Sequence, residues 1–253
     1  MDDGANGVLA CRKTGNYAVI DLAEGLADDA SAVQSALDLS ALCESIAWDE
    51  QVRVVVLSFG GTMNKGLEAI PNQADRAETF SIVEPVAHLK QPVIAAIRGD
   101  AIGIGLELAL ACDLRIGAAN ARFGLPQILE GRMPSNGGTQ RLPRLIGRSK
   151  AMQMILTGEL INAEEACRLG LLNRIVPSEP PLHAAIGMAH AMAENSPLSL
   201  SYAKEALYKG MDLTLDQGIR MELDLYLHLF STADRTEGIT AYKEKRKPKF
   251  EGV

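Results

Sequence analysis

The sequence predicts an α/β fold with a purely helical C-terminal region, and three observations carry that reading. Short β-branched runs alternate with helical segments in the first half, the apolar content is almost wholly aliphatic, and helix-start signals crowd the later part. Tyr17 to Leu22 reads as a buried strand, about Ser31 to Ile46 as a helix, and Val52 to Leu57 as a second strand. A helical stretch ends near Lys90, and Pro92 marks the break because a proline steers the residue before it away from the α region. Val93 to Ile97 follows as a third strand, with smaller ones at Asp113 to Gly117 and Arg122 to Gly124.

From there the pattern turns helical. Asn162 with Glu165 three residues on is a helix-start pair, as is Ser196 followed by Pro197, whose missing N–H costs nothing at a first helical position. Ser231 with Asp234 predicts a last cap, before a helix that Pro248 stops. The expected organisation is an α/β core over 1–195 and a helical region over 196–253, which serves as a lid or an assembly surface.

Composition narrows the function classes. Of 253 residues, 47% are hydrophobic and 23% charged, enough apolar surface for a large core and too much for a disordered chain. The 25 Lys+Arg against 32 Asp+Glu give −7, the wrong sign for coating nucleic acid or an anionic membrane, so neither is expected as a partner. An anionic ligand would need a local basic cluster. Cys11, Cys43, Cys112 and Cys167 form no C-x-x-C pair, and the four histidines show no ligand-like pairing, so no metal site is expected. Met1-Asp2-Asp3 lacks a basic flank and no run approaches a membrane span, which leaves a soluble cytoplasmic enzyme as the expectation.

The chemistry concentrates between Arg98 and Leu142. The third strand leads into Gly99, Gly103 and Gly105 and then into the apolar helical run Leu106 to Cys112. Glycines at a strand-to-helix turn allow close backbone approach to a ligand, and first-turn amides favour negative charge, although such turns are also common packing devices. Glu107 lies in that first turn among Leu106, Leu108, Ala109 and Leu110. A carboxylate in aliphatic surroundings is expected to hold its proton more tightly and so to exchange it near neutral pH; the bland alternative is a solvated glutamate complementing the helix terminus. Pro134-Ser135-Asn136-Gly137-Gly138-Thr139 is a second turn-rich loop whose amides can face a pocket.

These residues resemble the crotonase superfamily, the enoyl-CoA hydratase/isomerase group. Pro92 to Arg148 is similar to its P-V-I-A-A-I-x-G-x-A-x-G-G-G-x-E-L-A-L-A-C-D-x-R-I-A and A-x-F-G-x-P-E-x-x-L-G-x-x-P-x-x-G-G-T-Q-R-L patterns. The likeness runs on through Ala151 to Val176 and resumes from Phe230 to Phe250, where EGITAYKEKRKPKF resembles E-G-x-x-A-F-x-E-K-R-x-P-x-F. The resemblance implies a crotonase-like spiral of ββα units, a C-terminal helical trimerisation region, and assembly as a trimer or a dimer of trimers. It implies an acyl-CoA thioester as substrate with no cofactor beyond coenzyme A itself. Two backbone amides would hold the thioester oxygen while enolate-like charge forms: Ile104, at the middle of the family's G-G-G, and Leu67, after Gly66. Gly66, Gly103, Gly105, Pro134 and Gly137 are the substrate-binding positions expected on the same resemblance.

Glu107 matches the first of the two glutamates that hydratases of the family use. The second falls on Gln127, which can hold a water by hydrogen bonds but not transfer a proton, so it is expected to orient water or substrate. Glu130 is a substitute for it or an exposed charge. The first strand-to-helix loop, Ala23 to Asp29, is acidic where hydratases carry a basic lip, while Lys243, Lys245, Arg246, Lys247 and Lys249 form a basic cluster suited either to CoA phosphates or to a solvated helix end. Asp113 is expected to be structural. The resulting expectation is an enoyl-CoA hydratase-like lyase with Glu107 as proton carrier, the alternatives being double-bond isomerisation on the same fold or a catalytically weak acyl-CoA-binding paralogue.

Overall fold

A computed structural model describes residues 9–22, 29–60 and 81–253. Along the chain run β1 (Leu9–Thr14), β2 (Tyr17–Leu22), α1 (Asp29–Ala47), β3 (Val54–Phe59), α2 (Glu84–Ala87), β4 (Val93–Ile97), β5 (Ala101–Ile102), α3 (Ile104–Ala111), β6 (Leu114–Ala118) and β7 (Arg122–Gly124). After a 3-10 turn at Pro126–Glu130 come α4 (Gly138–Ile146), α5 (Arg148–Thr157), β8 (Ile161–Asn162), α6 (Ala163–Arg168), β9 (Arg174–Val176), α7 (Pro181–Ala193), α8 (Pro197–Gly210), α9 (Leu215–Leu229) and α10 (Ala233–Glu244).

Six strands form the main sheet in the order β1-β2-β3-β4-β6-β9, antiparallel at β1–β2 and parallel elsewhere. A second sheet of β5, β7 and β8 lies beside it. The central strands are apolar on both faces, as a parallel sheet covered on both sides requires. Val55, Leu57, Phe59, Val93, Ala95 and Ile97 join the larger core cluster, to which α1 and α3 also contribute. The alternate positions Val54, Val56, Ile94 and Ala96 turn the other way, against the Ala184, Ala185, Ala189 and Ala193 stripe of α7. Small alanine side chains let that helix seat closely on the strands.

Several boundaries differ from the expectation. The second strand begins at Val54 rather than Val52, because the Val52 N–H closes a turn onto the Asp49 carbonyl and the Arg53 N–H pairs with the Asn16 carbonyl. The cap of α10 is Thr232, which accepts the Arg235 N–H at 3.2 Å, while Ser231 Oγ donates to the His228 carbonyl. That helix ends at Glu244, with Lys245 left-handed at φ 53°, three residues before Pro248. Asn162 and Ser196 cap as expected, accepting the Glu165 and Ser199 N–H groups. Strand β1 was not expected, since LACRKT is largely polar and edge-exposed, and β8 and β9 lie in a region read as helical.

All four cysteines are free. Burial, the largest cause in each case, pushes the thiols of Cys43 and Cys112 up to about 12, so they are poor nucleophiles. Among the described residues no helix is long and apolar enough to cross a membrane.

Candidate active site

The site is built at the C-terminal end of β4. From Ile97 the chain passes through Arg98-Gly99-Asp100 into β5 and then turns sharply at Gly103, whose φ of 61° is a conformation glycine adopts readily. The Gly103 N–H donates to the Gly124 carbonyl at 2.9 Å, tying the turn to β7, and the Gly103 carbonyl accepts the Leu106 and Glu107 N–H groups. Among the described residues, the Ile104 and Gly105 N–H groups donate to no protein acceptor, leaving two helix-initial amides available. The Ile104 side chain is fully buried in the main core, so a residue larger than glycine is accommodated with its amide still free.

Glu107, one turn along α3, is 1% exposed. Its Oε1 accepts the Asn136 N–H at 2.7 Å and the Gly138 N–H at 3.0 Å. Its Oε2 accepts from Gln127 Nε2 at 3.4 Å. Three N–H donors from two loops converge on one buried carboxylate, which holds it as an acceptor in a fixed orientation. The fit is close: a Cβ on Gly138 would lie 3.0 Å from Glu107 Oε1 and 2.9 Å from Leu125 Cδ1. Pro134 and Gly137 belong to the same loop, Gly137 in the left-handed region at φ 91° where it caps α4. Arg141 Nη1 donates to the Asn136 carbonyl at 2.8 Å, and Ser81 Oγ donates to Asn136 Oδ1 at 2.8 Å, which fixes the loop against the start of α2.

Gln127, 4% exposed on the 3-10 turn, is therefore brought beside Glu107. Its Oε1 is buried and has no hydrogen-bond partner among the described residues. Glu130 is not a substitute: it is exposed and ion-paired with Arg132. Asp113 sits at the far end of α3, accepting the Val93 N–H at 2.6 Å and Lys204 Nζ at 2.7 Å, a structural tie between β4 and α8. Leu67 and Gly66, expected to supply the second amide, lie outside the described residues, as do 23–28 of the acidic lip and most of the stretch from Glu68 to Glu84 expected to line an acyl pocket.

Three features escaped sequence reasoning. The sequence marks the Pro134–Thr139 loop amides only as able to face a pocket, whereas the Asn136 and Gly138 amides grip Glu107; nothing in a sequence labels a backbone donor. Arg115 carries no signal beyond its place in a strand, yet its buried guanidinium caps the C-terminus of α3 at the Cys112 carbonyl, 2.6 Å away, and ties it to the Leu171 carbonyl beyond α6 at 2.7 Å. The third is the tail. Arg246 is bonded to Glu237 and Glu244, Lys247 lies 3.6 Å from Glu194, and the Lys249 N–H donates to Glu237. Of the five basic side chains, those of Arg246 and Lys247 thus pair with acidic groups of their own chain, while Lys249 contributes its backbone N–H.

A buried, oriented carboxylate one turn along from free helix-initial amides is an arrangement that moves a proton beside a stabilised oxyanion. The family described as enoyl-CoA hydratase/isomerase matches residues 15–253. The 2,3-dehydroadipyl-CoA hydratase of Escherichia coli is 40% identical over 221 residues, 83% of this chain and 85% of that one. The (E)-benzylidenesuccinyl-CoA hydratase of Thauera aromatica is 39% identical over 231 residues, 87% of this chain and 90% of that one. A crystal structure of an enoyl-CoA hydratase from Bacillus anthracis superposes with a TM-score of 0.87 at 35% identity, covering 97% of this chain and 99% of its own.

Proposed function

Because the chain belongs to the enoyl-CoA hydratase/isomerase family and has its crotonase fold, we propose that it is an acyl-CoA-processing lyase that adds water across the double bond of an enoyl-CoA thioester. The observation that carries this reading is Glu107, buried and held by the Asn136 and Gly138 amides one turn from the free Ile104 N–H. In the proposed reaction the thioester oxygen accepts from the Ile104 N–H, with the Leu67 N–H as second donor, so that charge pushed onto that oxygen is met by preorganised dipoles. Glu107 carries the proton. Gly66, Gly103, Gly105, Pro134 and Gly137 shape the backbone around the thioester, and no cofactor beyond the substrate's own coenzyme A enters the scheme.

Glu107→Gln keeps the size of the side chain and one acceptor oxygen for the Asn136 and Gly138 amides but cannot transfer a proton. Turnover of an enoyl-CoA is expected to fall by about 10²–10⁴-fold with sedimentation unchanged. Unaltered turnover would sink the assignment. One observation favours a second reading: Gln127 stands where a second proton carrier is expected, and double-bond isomerisation needs only one base. Hydration incorporates oxygen from heavy-oxygen water into a hydroxyl, whereas isomerisation does not, and mass spectrometry of the product separates them.

The proposal extends to organisation. Residues 1–195 form the catalytic core and 196–253 the helical assembly region, with the chain a trimer or a dimer of trimers. Support comes from the many apolar side chains that α8 and α9 expose on the single chain, Leu207, Met211, Leu215, Ile219, Leu223 and Tyr226 among them. A cytoplasmic location is part of the same proposal and suits four free thiols.

A further inference from the structure

Neither α8 nor α9 contains a buried residue, so little apolar packing fastens this hairpin to the rest of the chain. Leu200 is the residue of α8 that packs on the smaller core cluster, and it is only partly buried. Among the described residues two ion pairs reach from the hairpin to the core. Arg144–Asp212, at 3.7 Å, is exposed at both ends and contributes little. Lys204–Asp113, at 2.7 Å, leaves only 12% and 16% of the two side chains exposed. So enclosed a pair is a different case, because removing one partner strands the other charge away from water. The Lys204 ammonium also donates to the Gln91 carbonyl at 2.9 Å, and Gln91 Nε2 donates to the Ile46 carbonyl near the end of α1 at 2.9 Å.

Asp113 stands where the two elements that carry the site meet at their far ends. It follows the C-cap of α3 at Cys112 and precedes β6. Its Oδ2 accepts the N–H of Val93, the first residue of β4, at 2.6 Å, and its own N–H donates to the Val93 carbonyl at 2.9 Å. From this base β4 leads out to the turn that opens the site, and α3 leads from Ile104 and Glu107 back to the base. With eight residues α3 is about 12 Å long, so a tilt of about 5° at the base moves its site end by about 1 Å. A displacement of that size misaligns a catalytic group.

We infer that Lys204 is a positioning residue: its ion pair with Asp113 fixes the base of α3 against β4, so that the docking of the C-terminal hairpin sets the geometry of Glu107 and the Ile104 amide. Lys204 itself touches no reacting atom. The inference rests on the reading of Glu107 as the proton carrier of an enoyl-CoA enzyme. Without the ammonium, Asp113 keeps the Val93 N–H but loses its counter-charge. The neighbouring Arg115 does not take over, since its guanidinium is committed to carbonyls, those of Cys112, Leu171 and Asp113 among them. The stranded carboxylate then draws in water or shifts toward it, and either loosens the joint.

The test compares the parent, Lys204→Met, Asp113→Asn and the double variant. Steady-state kinetics with crotonyl-CoA read the site, hydrogen exchange of the α8 and α9 amides reads the docking of the hairpin, and circular dichroism controls for folding. Lys204→Met removes the charge and keeps the length of the side chain. Its kcat is expected to fall about tenfold, with KM within about threefold of the parent, and its hairpin amides to exchange at least about tenfold faster. Asp113→Asn breaks the pair from the core side while keeping an acceptor for the Val93 N–H, and is expected to do the same; it carries the test should Lys204→Met fail to fold. The double variant leaves no stranded charge and is expected to lose no more than the worse single one. Single variants with kcat within about threefold of the parent would show a merely structural tie and overturn the inference. A loss confined to KM, a loss of kcat without faster hairpin exchange, or losses that multiply in the double variant would overturn it as well. With an active parent these results overturn this inference alone, whereas a parent that turns over no enoyl-CoA overturns the functional reading together with it.

Discussion

At Glu107 a helix position, a burial and a set of donors support the proposed role. The helix position and the apolar neighbours are properties of the sequence, and with the family resemblance they single out Glu107 as the candidate proton carrier. The donors are not, since the Asn136 and Gly138 amides lie 29 and 31 positions away along the chain and reach Glu107 only because Ser81 and Arg141 pin the intervening loop. Gly138 shows how little room this leaves. A Cβ there would lie at 3.0 Å from Glu107 Oε1 and 3.0 Å from Pro134 Cβ, so Gly138→Ala has to displace the carboxylate or the loop. We expect kcat to fall about 10²-fold, the cost of a misplacement near 1 Å, with KM much less affected; steady-state kinetics with a short enoyl-CoA would decide it. Glu130 teaches the complementary lesson: a carboxylate three positions from Gln127 looks available in sequence, yet the 3-10 turn projects it into solvent beside Arg132.

Among the elements, the buried strands and capped helices were legible because their signals are local. Asn162 and Ser196 satisfy amides three residues away, and the continuous apolar runs of β3 and β4 announce burial on both faces. Strand β1 was not legible, because its pairing with β2 is what makes it a strand. The end of α10 was misplaced for a similar reason: the ionic staple between Glu237 and Arg246 turns the chain back before Pro248 is reached. That staple gives a pH prediction. The Arg246 guanidinium, the largest cause, together with the Lys249 N–H holds the Glu237 carboxyl down at about 2, against an ordinary value of 4.5. A depressed carboxyl contributes stability that is fully present above its ordinary value and is lost as pH falls toward its folded one. Protection of the Lys249 amide, corrected for the intrinsic pH dependence of hydrogen exchange, is therefore expected to hold above pH 4.5 and to collapse between there and about 2. High salt should weaken it at every pH, since the pair is open to solvent. Constant protection down to pH 2 would show that the tail is docked by packing alone.

For the whole molecule, the apolar residues along α9 bear on the proposed assembly. Leu215, Ile219, Leu223 and Tyr226 recur at helical spacing, and each is at least half exposed on the single chain. So many large side chains on one face are what a contact surface of the proposed oligomer would carry. Sedimentation is expected to give a trimer or hexamer, and Leu223→Glu to shift it toward monomer by placing a charge in that contact; a monomeric parent would refute the proposed assembly. The α/β class, the helical C-terminal region, the family and the choice of Glu107 and Gln127 as candidates are readable along the chain, because each rests on local periodicity or on motifs of residues close together. Which amides grip Glu107, that Gln127 is brought beside it, that Glu130 is exposed beside Arg132, and that Arg246 and Lys247 pair with acidic groups of their own chain come from the fold. Those are contacts between segments tens of residues apart, and a hydrogen bond depends on where two atoms meet in space, which spacing along the chain does not specify.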